Sequence, residues 1–170
     1  MPKKKTIEVR APKPYGKYRY GKYLKTFLAG SIEQGAAVDW QEEVTRMFDG
    51  LPEHRNWRIP VILNPRRKNW DSTVNQSADN KKFRQQVEWE LKAIEEADEV
   101  IMYFDPKTKS PISLLELGLY ARHGTLSVVC PSGFWRKGNV DIVCERFSIP
   151  QYPSLEYAVE AISRKNGLLQ

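Results

Sequence analysis

The chain predicts a single α/β domain, a doubly wound and mostly parallel sheet of about five strands with flanking helices. Three observations predict it. Short apolar runs bounded by turn residues alternate along the chain with helix-period segments, the signature of a parallel sheet wound with helices. The clearest run, 100–104, is apolar throughout and reads as a buried strand. The 170 residues, 41% hydrophobic and 28% charged, are ordinary for one globular domain with a sizeable core. No internal repeat, low-complexity segment or second domain is visible.

Residues 1–25 come first and carry the charge. The formal net charge of the whole chain is +6, yet this segment alone holds nine Lys/Arg against one acid, Glu8. Residues 26–170 are therefore slightly acidic. Lys3-Lys4-Lys5 and the run 15–23, where Lys and Arg alternate with tyrosines, suit a phosphate backbone with bases stacked between. A solvated tail that packs its tyrosines on the domain or on a partner subunit explains the same residues, and terminal charge runs are usually of that kind. Nucleic acid is thus not the expected partner. The segment reads as a basic leader ahead of a domain spanning 26–170.

Residues 26–32 form the expected first strand, running into a turn at Gly30-Ser31. A helix follows over about 38–48, with Trp40, Val44 and Met47 or Phe48 on its inner face and Asp39 as its cap. Residues 59–65 make the second strand. A polar connection from 66 to about 80 is long for a compact domain, and such loops are usually functional or disordered. The second helix spans about 80–97, with Phe83, Val87, Leu91 and Ile94 as its apolar stripe. Residues 99–104 form the third strand, ending in Asp105-Pro106, where turn chemistry explains the aspartate. Ser110-Pro111 starts a third helix, with a hydroxyl cap and proline at the first helical position. Residues 125–130 are the fourth strand, 140–147 a short helix, and Ser148-Ile149 a short fifth strand. Ser154 caps a last helix running to Ile162.

Two carboxylates sit where apolar residues belong. On the third helix, Glu116 shares a face with Ile112 and Leu119 at the carboxyl end of a strand, where open α/β sheets bind ligands. On the second, Glu90 lies between Val87 and Ile94. A buried charge is costly unless paired or used. Glu90 is open to a structural pairing with Arg66 or Arg84, whereas Glu116 lies beside the expected pocket. Cys130 and Cys144, without metal-ligand spacing, read as reduced core residues of a cytoplasmic protein. No apolar run approaches membrane-spanning length, no signal peptide is visible, and no metal or organic cofactor is implied. His54 and His123 have no partner at catalytic spacing.

Four pieces of sequence carry a family resemblance. They are Phe27-Leu28-Ala29-Gly30-Ser31-Ile32; Asn64-Pro65-Arg66-Arg67 with Trp70-Asp71; Gln86-Val87-Glu88-Trp89-Glu90-Leu91 running to Ala97-Asp98; and Ser110-Pro111-Ile112 to Glu116-Leu117-Gly118. In this order and spacing the chain resembles the nucleoside 2-deoxyribosyltransferases and the related nucleotide N-glycosidases over residues 26 to about 145. The resemblance implies a flavodoxin-like fold and makes Glu116 the nucleophile that attacks C1′ of the sugar. A second base, or water, then takes the sugar. A carboxylate nucleophile divides one hard displacement into two, as in retaining glycosidases. Glu90 matches the acidic residue that contacts the base, where many members have aspartate.

Four of the remaining site residues follow from the same resemblance, and two from their place in the long loop. Gly30 and Ser31 match the loop that meets the 5′ end of the substrate. Ser110 stands where transferases tend to have aspartate and the monophosphate-cleaving relatives tend to have serine; an N-cap role explains it equally. Asn139 matches a polar residue that reaches the 5′ end from a neighbouring subunit, which implies a homodimer or higher homo-oligomer with shared sites; a simple turn at Gly138-Asn139 is the alternative. Trp70 is placed to stack on the base from the long loop, and Asp71 either helps with the proton or caps a turn. The expected partners are thus a nucleoside or nucleotide and a free nucleobase. Three functions stay open: sugar transfer between bases, hydrolysis of a nucleoside 5′-monophosphate, and non-catalytic sensing of a nucleotide in the same pocket.

Overall fold

The computed structural model describes residues 6–32, 38–52, 58–68 and 73–169. In chain order the elements are β1 (Ile7–Arg10), β2 (Tyr23–Gly30), α1 (Trp40–Asp49), β3 (Ile59–Asn64), α2 (Lys81–Glu96), β4 (Glu99–Tyr103), α3 (Pro111–Tyr120), β5 (Leu126–Val129), α4 (Lys137–Arg146) and α5 (Leu155–Lys165). The strands form one five-stranded sheet in the order β1-β3-β2-β4-β5, and every pairing is parallel. This is the expected doubly wound, flavodoxin-like arrangement.

Strand side chains alternate between two apolar layers because successive residues point to opposite faces. Leu24, Leu28, Ile62, Ile101 and Val129 meet Trp40, Val44 and Phe48 of α1 and Ala158, Val159 and Ile162 of α5. Phe27, Ala29, Val61, Leu63, Val100 and Met102 belong to the other layer, with Trp89 and Ala93 of α2, Leu117 and Tyr120 of α3, and Val140 and Cys144 of α4. Each fully buried Leu, Ile or Phe contributes about 1.5–3 kcal/mol of transfer free energy, which holds the two helical layers to the sheet.

The connection through α1 carries the chain from β2 to β3 on one side, and the connection through α2 carries it back past β2 to β4 on the other. Strand order therefore reverses between β2 and β4, and their carboxyl ends form the switch point at which such sheets bind ligands. There Gly30 pairs with Tyr103.

The first segment packs a tyrosine on the domain, as expected, but it also adds a strand to the sheet, which a solvated tail would not. Ile7–Arg10 pairs with Val61–Asn64 as an edge strand, and β2 begins at Tyr23. Tyr15 is buried and packs edge-on against Trp89 at 5.7 Å, while Trp89 donates its indole N–H to the Lys13 carbonyl at 2.9 Å. The tyrosine is thus spent on the domain's own core.

Helix starts follow their caps. Asp39 accepts from the Glu42 amide at 3.1 Å, so α1 begins at Trp40 and Val38 stays outside and exposed. Asn80 accepts from the Lys82 and Phe83 amides at 3.0 and 3.1 Å. On α2 the buried face is Gln86, Trp89, Ala93 and Ile94, while Phe83, Val87 and Leu91 are only half-buried. α4 begins at Lys137, so Gly138-Asn139 is helical and not a turn. No strand forms at Ser148-Ile149: Ser148 is left-handed (φ 55°), the Ile149 amide bonds to the Cys144 carbonyl, and a single bridge joins Val128 to Gln151. Ser154 stands at the start of α5 without a side-chain cap bond.

Candidate active site

α3 is turned differently from the sequence expectation. Its buried residues are Ser113, Glu116, Leu117 and Tyr120, whereas Ile112 and Leu119 are 60% and 55% exposed. Glu116 therefore faces inward without the two apolar residues that were expected to share its face. Only 7% of it is exposed. Burial, and next the charge of Glu90, push its carboxyl up from 4.5 to about 8. The Glu116 charge acts in turn on the Tyr120 hydroxyl, which burial raises to about 12 and which donates to Glu95 at 3.3 Å.

Glu90 is brought to the same site from α2. Burial raises its carboxyl too, offset by a hydrogen bond from Gln86 and by the charge of Arg67. The Gln86 amide donates to Glu90 Oε1 at 2.7 Å. Neither expected arginine is its partner: Arg66 reaches Asp39 at 3.7 Å, and Arg84 pairs with Glu88 one helical turn away. The charge that acts on Glu90 belongs to Arg67, whose Nε donates to Gln86 Oε1.

The switch point itself is filled by hydroxyls. A Cβ on Gly30 would stand 2.2 Å from the Tyr103 carbonyl oxygen, and its φ of +132° suits glycine alone, so Gly30 is required by the close approach of β2 and β4. The Ser31 amide is committed to the Tyr103 carbonyl at 2.9 Å. Its hydroxyl lies 2.5 Å from that of Ser110, accepts from Thr108 at 2.9 Å, and accepts from the Asp105 amide at 2.8 Å. Ser110 and Thr108 are 2.7 Å apart, which closes a triangle of buried hydroxyls. Asp105 accepts from the Lys107 amide at 2.8 Å, the turn role expected of it.

Ser110 does not cap α3 with its side chain. Its backbone is left-handed (φ 47°, ψ 51°), which turns the hydroxyl into the Ser31–Thr108 cluster while Pro111 opens the helix. Holding a serine there costs on the order of 1 kcal/mol, a strain that clusters at functional sites.

Asn139 is exposed on α4. With Arg136, Val140 and Val143 it lines a groove of about 310 Å³ against Leu114, Leu117 and Gly118 of α3; neither Glu116 nor Glu90 lines that groove. Trp70, Asp71 and His54 lie outside the described residues. Three neighbours went unassigned in the sequence reading: Arg67, Gln86 and Thr108. Gln86 carried a usable signal, since a glutamine four residues before an inward glutamate lies directly beneath it on the helix. Among the described residues no group of three His, Cys, Asp or Glu is arranged to hold a metal, and no helix is long and apolar enough to cross a membrane.

A family model described as nucleoside 2-deoxyribosyltransferase like matches residues 23–134, from the start of β2 to just before α4. None of the curated proteins matches the chain.

Proposed function

The chain belongs to the nucleoside 2-deoxyribosyltransferase-like family, and from that premise we propose that it cleaves the N-glycosidic bond of a 2′-deoxynucleoside and passes the sugar to a second base. The observation that carries the reading is the pair of glutamates on α2 and α3, Glu90 half-buried and Glu116 buried, with the charge of Glu90 acting on Glu116. Burial raises the proton affinity of both carboxyls, and the charge of Glu90 adds to the rise at Glu116. The reaction needs one carboxylate as nucleophile and one carboxylic acid for the leaving base, and a pair whose proton affinities are raised can supply both.

In the first half-reaction a Glu116 oxygen forms a bond to C1′. The C1′–N bond breaks, its electron pair stays with the base, and Glu90 supplies a proton to the base as negative charge develops. In the second half a nitrogen of another base attacks C1′ and releases the Glu116 carboxylate, and Glu90 takes back a proton. Water in place of the second base gives hydrolysis.

One observation favours a 5′-monophosphate as substrate. Ser110 is not used as a side-chain cap and sits at the start of α3, bonded to the Ser31 and Thr108 hydroxyls, and a helix N-terminus favours an anion. A homodimer or higher oligomer is supported by the exposed Ile112, Leu115 and Leu119 on α3 and Ile142 on α4, close to the groove that Asn139 lines.

The test is to incubate the protein with a deoxynucleoside or its 5′-monophosphate, with and without a second free base, beside Glu116→Ala. A new nucleoside formed only with the second base, and lost in the variant, establishes transfer. Free base in both conditions assigns hydrolysis. No turnover with any of the four bases overturns both enzyme readings and leaves nucleotide sensing.

A further inference from the structure

Gln86 is buried and sits one helical turn before Glu90. Every polar atom of its amide is engaged. The carbonyl oxygen accepts from Arg67 Nε, and the nitrogen donates to the Pro65 carbonyl at 2.9 Å and to Glu90 Oε1 at 2.7 Å. The amide has one allowed orientation. Reversing it would set its N–H₂ against the guanidinium and its oxygen against the Pro65 carbonyl, a donor–donor and an acceptor–acceptor clash.

The loop that supplies two of these contacts is itself held from the first strand. Asn64 donates to Glu8 Oε1 at 2.8 Å and accepts from the Arg66 amide at 2.9 Å; its carbonyl accepts from the Ala11 amide at 3.0 Å. Arg10 pairs with Glu8 at 2.9 Å and reaches the Arg66 carbonyl at 3.4 Å. Residues 8–11 lie outside the segment that the family model covers, yet they brace the loop that orients Gln86.

A carboxyl that accepts a hydrogen bond on Oε1 carries its own proton on Oε2. We propose that Gln86 is a positioning residue: its fixed amide reserves Oε1 of Glu90 as an acceptor and so leaves Oε2 as the oxygen that exchanges a proton with the leaving base. This rests on Glu90 being the base-facing acid. The charged groups that act on Glu90 are Arg67 from the loop after β3 and Glu116 from α3, with Gln86 as the neutral donor on its own helix.

The test compares wild type with Gln86→Leu, which keeps the volume and deletes the amide, on two substrates. One is a natural deoxynucleoside. The other is 4-nitrophenyl 2-deoxyriboside, whose leaving group departs as a stable anion and needs no proton. The variant should lose roughly 10- to 100-fold in kcat on the natural substrate, part of what a positioned proton donor supplies, with KM within about threefold and the nitrophenyl substrate slowed less than about threefold. Equal losses on both substrates overturn the proposal, since a general loosening of the site would slow each alike.

A second measurement needs no turnover. Carbon-13 NMR titration of the Glu90 carboxyl should move to higher pH when the Gln86 donor is removed; an unmoved titration overturns the positioning. Wild type inactive on both substrates instead overturns the glycosyl-transfer reading. If Gln86→Leu fails to fold, Gln86→Glu serves in both measurements: it still accepts from Arg67 but donates to Glu90 only when protonated, so its kcat defect on the natural substrate should deepen as pH rises. A defect flat across pH overturns the proposal.

Discussion

Replacing Glu116 by glutamine gives a neutral residue of the same shape at a site where wild type has a carboxyl that titrates at about 8. The unfolded chain titrates it near 4.5, so folding favours the protonated form. The stabilisation is complete below the unfolded value and is lost as pH rises through the folded one. Each tenfold difference in proton affinity is worth about 1.4 kcal/mol. The full difference is then roughly 4–5 kcal/mol, of which about 3.5 kcal/mol is lost between pH 5 and pH 8. Glu116→Gln removes this loss. Burying its amide shifts the whole stability curve by a constant amount, so the slope against pH carries the answer. Urea or thermal unfolding of both proteins at pH 5, 6, 7 and 8 should show the variant gaining about 3.5 kcal/mol on wild type across the range. For a domain of this size that is a gain of about 7–14 °C in Tm. Parallel curves would refute the argument, because they would mean that Glu116 is ionised at little cost and has water or an unrecognised cation beside it.

Three other outcomes follow from the same geometry. The dependence of kcat/KM on pH should be bell-shaped, failing at low pH when both carboxyls are protonated and no nucleophile remains, and failing at high pH when neither carboxyl keeps a proton for the leaving base; a rate that never falls on the alkaline side would contradict the need for a carboxylic acid. Gly30→Ala should cost at least about 2 kcal/mol in urea unfolding, since the added methyl stands 2.2 Å from the Tyr103 carbonyl oxygen and 2.7 Å from its nitrogen. Deleting residues 1–22 removes β1, Tyr15 and the acceptor for the Trp89 indole; circular dichroism melts should show a lower Tm, and the assay a lower rate, whereas an unchanged protein would return this segment to the status of a tail.

The central strands were legible because they are apolar on both faces, and 59–65, 99–104 and 125–130 locate β3, β4 and β5 within a residue or two. β1 was not. An edge strand of four residues pairs through its backbone and buries little, with Val9 its one fully buried side chain, so Glu8 and Arg10 merged into the surrounding charge run. Glu90 and Glu116 were legible as misplaced charges, but not their neighbours. Gln86 and Arg67 act through hydrogen bonds across two elements, and periodicity within one helix carries no trace of a partner on a distant loop. Ser110 shows the reverse limit: its place before Pro111 fits a cap, and only the left-handed backbone sends its hydroxyl elsewhere.

The orientation of α3 ties the site to assembly. A helix with Ile112, Leu115 and Leu119 on one side should turn that side to the core, since burying three such residues is worth several kcal/mol. This helix turns it outward and gives its inner face to Ser113 and Glu116 along with Leu117 and Tyr120. The inversion costs the isolated chain twice, once for the buried carboxyl and once for the exposed apolar residues. Charges kept inside at such expense are those a site uses, and apolar surface kept outside is that which another molecule covers. A second copy placed on this face would recover the second cost by covering Ile112, Leu115 and Leu119. One rotation of one helix thus buries Glu116 and exposes an apolar strip, so the proposed nucleophile and the proposed oligomer, separate expectations in the sequence, depend on the same packing choice.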